Sequence, residues 1–239
     1  MMKNPQEITI AISKPPESIT QEAYICYEDQ KMRILEKIFS DSNPKRVILF
    51  SSSKQKVKEL AITLKRMKIN VAAMHSDLEQ SVREQVMKDF KNGHIDILVA
   101  TDVVARGIDI TDISLIINYD TPRDPDDYVH RIGRTARGAE GKGAAITFVS
   151  VKDQYHFSKI EKLLGKEIYK IPIDPSFGKT PLYKPEQPKP FSFKGRRGGK
   201  PKGSNRRRNS SSRMKATHKK DMNPSLNKGS GHPSLRAGK

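Results

Sequence analysis

Between Gln21 and Leu164, apolar residues fall into two rhythms that alternate along the chain. Short runs rich in β-branched and aromatic residues predict strands over Gln21–Tyr27, Arg46–Phe50, Asn70–His75, Ile95–Ala100, Ser114–Tyr119 and Ala144–Val149. Between them, apolar residues recur three and four apart, as in Val57, Leu60, Ala61 and Leu64. That spacing predicts helices over Gln30–Phe39, Lys54–Met67, Glu79–Phe90, Pro125–Ile132 and Asp153–Leu164. Three strand runs, VILF, ILVA and LIIN, are apolar without interruption, as expected of parallel strands covered on both faces. The alternation predicts an α/β domain, a doubly wound parallel sheet with helices on both faces. Such folds place their chemistry at the carboxyl ends of strands. The positions to inspect are therefore Ser51–Ser53, His75–Asp77, Thr101–Asp102 and Asp120–Thr121.

The rhythm stops near Pro172. The stretch KPEQPKPFSFKGRRGGKPKGSNRRRNSSSRMK is rich in Pro, Gly, Ser and basic residues, too polar to offset the entropy lost on ordering. Residues 173–239 are expected to form a disordered basic tail. No internal repeat is present.

Charge sharpens that division. The 239 residues carry a formal charge of +18. Of the 45 Lys and Arg, 18 lie from Lys179 onward, against two acids, Glu186 and Asp221, a balance of +16 there and +2 in the remainder. The basicity belongs to the tail and implies a polyanionic partner. Its aromatics Tyr183, Phe191 and Phe193 lie among cations, where they serve either as base-stacking platforms or as parts of a solubilising linker. One cysteine, Cys26, leaves no disulfide partner within the chain and fits a reducing compartment. No apolar run approaches the roughly 18 residues of a membrane span. A soluble cytoplasmic monomer is expected.

Three stretches bear chemistry. In YVHRIGRTARGAEGKGAA, Arg131, Arg134 and Arg137 recur every three residues with small residues between. Such a triplet either faces solvent, pairs with Asp124, Asp126 and Asp127, or serves an anion. Arginine's rigid fork of donors suits phosphate, and arginines presented to a γ-phosphate stabilise the charge that develops in phosphoryl transfer. In ILVATDVVARGIDI an apolar strand ends in Thr101-Asp102 and a turn carries Arg106, Gly107 and Asp109. This is either an ordinary capped turn or a site where Thr101 meets phosphate, Gly107 admits close backbone approach and Asp109 accepts from a ribose hydroxyl. In MHSDLEQSVREQVMKDF, Gln80 and Arg83 share a face near a helix N-terminus, as a surface pair or as an anion site.

In this order and spacing the three stretches closely resemble the second RecA-like lobe of superfamily 2 helicases, specifically DEAD-box ATP-dependent RNA helicases. VILFSSSK is similar to the family's fourth motif, followed by HSDLEQSVR; ATDVVARGID resembles the fifth and HRIGRTARG the sixth. The resemblance covers roughly residues 18–172 and implies a RecA-like fold, ATP with Mg2+ as cofactor and RNA as partner. It implies that Arg134 and Arg137 are arginine fingers and that Gly107 and Asp109 belong to the ATP site. Ser52, Ser53, Gln80, Arg83, Thr101 and Arg106 would line the RNA backbone path, and His130 and Arg131 would couple the lobes, with Gly107 beside them. Ser76 stands where the family usually has Gly, and Ala136 often corresponds to Gly.

No phosphate loop accompanies these motifs. Gly178-Lys179-Thr180 is a chance match, with Ile173 at the first glycine position and prolines around it. Asp120 ends an apolar strand like a metal-binding carboxylate, yet no D-E-A-D run exists. Neither the six histidines nor Cys26 show metal-ligand spacing, and lone His94 and His156 are expected at or near the surface. The family's N-terminal RecA-like lobe, which holds most of the ATP and the Mg2+, is expected to be a missing partner, with residues 1–17 the trailing linker from it. The expected function is the C-terminal lobe of an ATP-dependent RNA helicase, inactive by itself. A standalone RNA-binding or annealing module and a lobe of a DNA-acting helicase are the alternatives, and the compact spacing of the fifth and sixth motifs favours RNA.

Overall fold

Strands β1 (Ile19–Ile25), β2 (Val47–Phe50), β3 (Val71–Met74), β4 (Ile97–Ala100), β5 (Leu115–Asn118), β6 (Gly143–Val149) and β7 (Tyr169–Lys170) form one sheet in the computed structural model. The structure describes residues 15–102, 112–136 and 141–186. Every pairing between these strands is parallel, and the order across the sheet is β3-β4-β2-β5-β6-β1-β7. Five helices accompany them among the described residues: α1 (Gln30–Ser42), α2 (Lys54–Arg66), α3 (Gln80–Lys91), α4 (Pro125–Ile132) and α5 (Gln154–Leu164).

The pleat sorts the uninterrupted strands onto two cores. Val47 and Leu49 of β2 pack with Ile34, Leu35 and Phe39 of α1 and with Val57, Leu60 and Leu64 of α2. Ile48 and Phe50 point the other way, into a core with Phe90 of α3, Tyr128 and Ile132 of α4, and Phe157, Ile160 and Leu164 of α5. Helices therefore cover both faces, as the unbroken apolar runs require. Each fully buried Leu, Ile or Phe contributes about 1.5–3 kcal/mol.

Local chemistry sets the element ends. Ser53 caps α2 by accepting from the Lys56 amide at 3.2 Å. Asp124 caps α4 by accepting from Asp126 N at 3.0 Å, with Pro125 in the first turn. At the end of α1, Asn43 turns left-handed (φ 39°) and its amide reaches Phe39 O at 3.1 Å. Strand β1 lies two residues earlier than its sequence pattern implies. Its register runs from Ile19 opposite Gly143 to Ile25 opposite Val149, and Gln30 Oε1 then takes the Tyr27 amide at 2.9 Å, ending the ladder.

The chain also keeps its hold on the body beyond the boundary expected at Pro172. Strand β7 adds to β1, with Glu22 opposite Tyr169 and Ala23 opposite Lys170. Two buried glutamines, each the first residue of a helix, then grip the segment C-terminal to β7. Gln30 Nε2 donates to the carbonyls of Phe177 and Lys179, both at 3.0 Å. Gln154 Nε2 donates to Leu182 O at 2.8 Å while its Oε1 accepts from Lys184 N at 2.6 Å. Ile173 and Phe177 pack on the core beneath α1 and α2, whereas Tyr183 packs on the opposite core and donates to Glu161 Oε2 at 2.5 Å. Residues 171–186 form a strap around the β7 edge of the sheet. Gly178, with φ 92°, follows a 3-10 turn within it, and no helix begins there as a phosphate loop requires.

Candidate functional site

The loop after β2 is built around a carboxylate on another strand. Asp120, just beyond β5, accepts from Ser51 Oγ (2.9 Å), Ser52 N (2.9 Å), Ser52 Oγ (2.8 Å), Lys56 Nζ (2.9 Å) and Lys31 Nζ (3.5 Å). Burial opposes its charge, but Ser52, Lys56 and Lys31 outweigh burial and hold its pKa well below the ordinary aspartate value. Lys31 is wholly buried, 3.2 Å from Glu28 and 4.0 Å from Asp153, with the Tyr119 ring 5.5 Å away. Burial likewise disfavours the charges on Lys56 and Glu28. Asp120 and Glu28 nevertheless raise the pKa of Lys56, and Lys56 and Lys31 lower that of Glu28.

A second buried charge joins this group to α4. The Arg131 guanidinium donates from Nε and Nη2 to the two Asp102 carboxylate oxygens at 2.5 and 2.7 Å. Its Nη1 donates to Asn118 Oδ1 and to the Asp120 carbonyl, both at 3.0 Å, and it lies 5.0 Å from the centre of the Phe50 ring. One side chain thus ties the ends of β2, β4 and β5 to the arginine-bearing helix. A cleft of about 730 Å3 opens here, lined by Ser52, Lys56, Asp102, Asp120, Arg131 and Lys152 among others.

Past α4 the chain turns at Gly133. Arg134, half-buried, donates its amide to Arg131 O at 3.1 Å. Thr135 bridges to Ile113 beside β5 through backbone and hydroxyl. A Cβ at Gly143 would collide with the Thr135 side chain and the Ala136 amide, so glycine lets β6 lie against this turn. Ala136 is left-handed (φ 60°), a conformation that favours glycine. Ser76 does not share that left-handed conformation.

The other predicted site residues are spread along the same rim. Thr101 is half-buried at the end of β4. Gln80, exposed, opens α3 and donates to Glu84 Oε1 at 2.8 Å; Arg83 lies half-buried three residues on. The serine pair divides: both polar groups of Ser52 face Asp120, and Ser53 caps α2. His130 and Arg131 divide too, His130 exposed and Arg131 buried. Arg106, Gly107, Asp109 and Arg137 lie outside the described residues. His75, buried after β3, has a lowered pKa from burial and from Lys58, and its Nδ1 has no partner among the described residues.

Sequence reasoning missed Lys31, Lys56 and the two glutamines. A signal existed for Lys31, which stands three and four residues before Ile34 and Leu35 and so on the apolar side of α1. Among the described residues no three His, Cys, Asp or Glu side chains cluster as a metal site. The donors at these strand ends are held by Asp102, Asn118 and Asp120.

The family described as the helicase conserved C-terminal domain matches residues 30–139. The ATP-dependent RNA helicase CshA of Limosilactobacillus reuteri is 37% identical over 175 residues, which are 73% of this chain and 35% of that protein. The chain spans less than half the length of the curated relatives it matches. Among solved structures, the E. coli DEAD-box protein SrmB, bound to regulator of ribonuclease activity A, superposes with TM-score 0.61 at 33% identity. That match covers 68% of this chain and 96% of the SrmB chain. S. cerevisiae Dbp5 bound to RNA and ADP BeF3 gives TM-score 0.62 at 33% identity, over 68% of this chain and 44% of that one.

Proposed function

This chain belongs to the DEAD-box family of ATP-dependent RNA helicases through a C-terminal helicase domain of RecA-like fold, and from that membership we propose that it forms the closing half of a two-lobe ATPase acting on RNA. In this reading the substrate ATP, with Mg2+, is held mainly by an N-terminal RecA-like lobe. On closure Arg134 and Arg137 reach the γ-phosphate, where fixed guanidinium donors stabilise the charge that develops during transfer. Gly107 and Asp109 belong to the ATP site, where Asp109 would accept from a ribose hydroxyl. Thr101, Arg106, Gln80, Arg83 and the Ser52–Ser53 loop follow the backbone of an RNA strand held in a form a duplex cannot adopt. Hydrolysis removes the γ-phosphate that the arginines grip, and the lobes part and release the strand.

The observation that carries this reading is the Arg131 junction. Its bonds to Asp102, Asn118 and Asp120 make the strand ends near Thr101 and Ser52 and the helix leading to Arg134 one rigid body. In this reading a shift that RNA forces at the strand ends passes through these bonds to the arginine turn. His130 is exposed beside it, and in this reading it is the residue that meets the opposing lobe.

In a two-lobe enzyme carrying this domain, Arg134→Ala is expected to lower ATP turnover on the order of 10³-fold while leaving nucleotide-free RNA binding unchanged. The chain by itself is expected to lack ATPase activity. RNA-stimulated hydrolysis by the purified chain, surviving Arg134→Ala, would remove the finger assignment and favour a different reaction.

A further inference from the structure

The buried charges around Asp120 exceed what packing needs. Taking Lys31 out of water costs several kcal/mol, and a well-packed apolar pair of similar volume often stabilises a fold as well or better. Lys31 and Lys56 do keep the Asp120 carboxylate ionised while it accepts from Ser51 Oγ and from both the amide and hydroxyl of Ser52. A protonated or apolar residue at position 120 would not hold all three donors.

We propose that Asp120 is a positioning residue for RNA binding, acting through Ser52. This rests on the reading of the strand-end rim as the RNA path. Ser52 is exposed, yet it turns its hydroxyl and amide inward at 2.8 and 2.9 Å from one carboxylate oxygen. That double grip fixes the direction in which the chain leaves β2, and with it where Ser53 and the exposed first turn of α2 face. The Asp120 carbonyl simultaneously holds Arg131 at 3.0 Å, so the RNA-facing loop and the arginine helix take their position from the same residue. Ser52 accordingly contributes through Asp120 and not as a direct ligand of the strand.

The test uses the full chain and an oligouridylate containing 4-thiouridine, cross-linked at high salt, where the tail's counterion-release contribution is suppressed. Cross-links to body peptides are quantified by mass spectrometry across an RNA titration. Asp120→Asn is expected to weaken body binding about tenfold, the worth of one hydrogen bond to a charged group. Ser52→Ala is expected to do the same, the double variant no worse than either single one, and Ser52→Thr to restore binding. Because Asp120→Asn removes one of the carboxylates around the buried Lys31, which keeps Glu28 at 3.2 Å, Asp120→Asn with Lys31→Met is measured beside it, with thermal melts of all variants. Losses that multiply in the double variant, or wild-type affinity in the folded Asp120→Asn/Lys31→Met chain, would overturn the proposal. An unmodified chain whose body never cross-links fails the RNA reading itself, and the proposal with it.

Discussion

A carboxylate that accepts five hydrogen bonds, as Asp120 does, makes stability depend on pH. Its folded pKa lies below the roughly 3.9 of an unfolded aspartate. The stability it contributes is therefore fully present above about pH 4 and is lost as pH falls toward the folded value. Glu28, also lowered, acts in the same direction. Urea unfolding between neutral pH and pH 2 should show the wild-type midpoint dropping steeply below pH 4. Asp120→Asn should start about 1.5–3 kcal/mol less stable at neutral pH, the worth of hydrogen bonds to a charged group, since Lys31 and Lys56 keep Glu28, and vary less with acid. Parallel curves for the two proteins would show that the titrating group lies elsewhere. Asp120 was legible in the sequence as a strand-end carboxylate, but its donors were not. Lys31 comes from α1, Lys56 from α2, and Ser51 and Ser52 from the loop after β2, and pairing across 64 to 89 positions leaves no local pattern.

Elements were most legible where burial dictated them. The runs VILF, ILVA and LIIN became β2, β4 and β5, and the helix over Pro125–Ile132 matches its expected span because Asp124, Pro125 and the Tyr128–Ile132 apolar pair all agree. Strand β7 escaped notice because it has two residues, one of them the largely exposed Tyr169. The strap escaped for a different reason. Its backbone is held by side chains on α1 and α5, so its own composition, rich in Pro and Lys, bears little mark of being bound. The turn after α4 makes an element-scale prediction. Gly143→Ala forces Thr135 off Ile113 and is expected to cost about 1–3 kcal/mol. Ala136→Gly relieves a left-handed alanine and is expected to be neutral or stabilising by up to about 1 kcal/mol, despite glycine's greater freedom in the unfolded chain. Urea midpoints of the two variants check both signs, and a harmless Gly143→Ala would mean that β6 and the turn can separate.

At the scale of the whole molecule, charge is divided unequally along the chain. Beyond Glu186 lie 16 Lys and Arg with one acid, Asp221, whereas the preceding residues are close to neutral. In the proposed RNA reading, removing residues 187–239 should weaken binding and flatten its salt dependence together, since each phosphate neutralised on a single strand contributes about −0.7 to the slope of log K against log salt. A fluorescent oligonucleotide titrated at several salt concentrations reads both quantities, and equal slopes would assign the tail's charge to another partner. The point at which the strap is fastened bears on this. Tension on the chain beyond Glu186 meets the Lys184 bond to Gln154 first, then the Tyr183 plug against Glu161, then the Leu182 bond to Gln154, and last the Gln30 grip on Lys179 and Phe177. Only after these yield does the load reach β7 and the sheet. The strap acts as a strain relief on a cable: it lets the end of the chain be hauled about in steps while the hydrogen-bonded frame that aligns Arg131 and Asp120 stays slack.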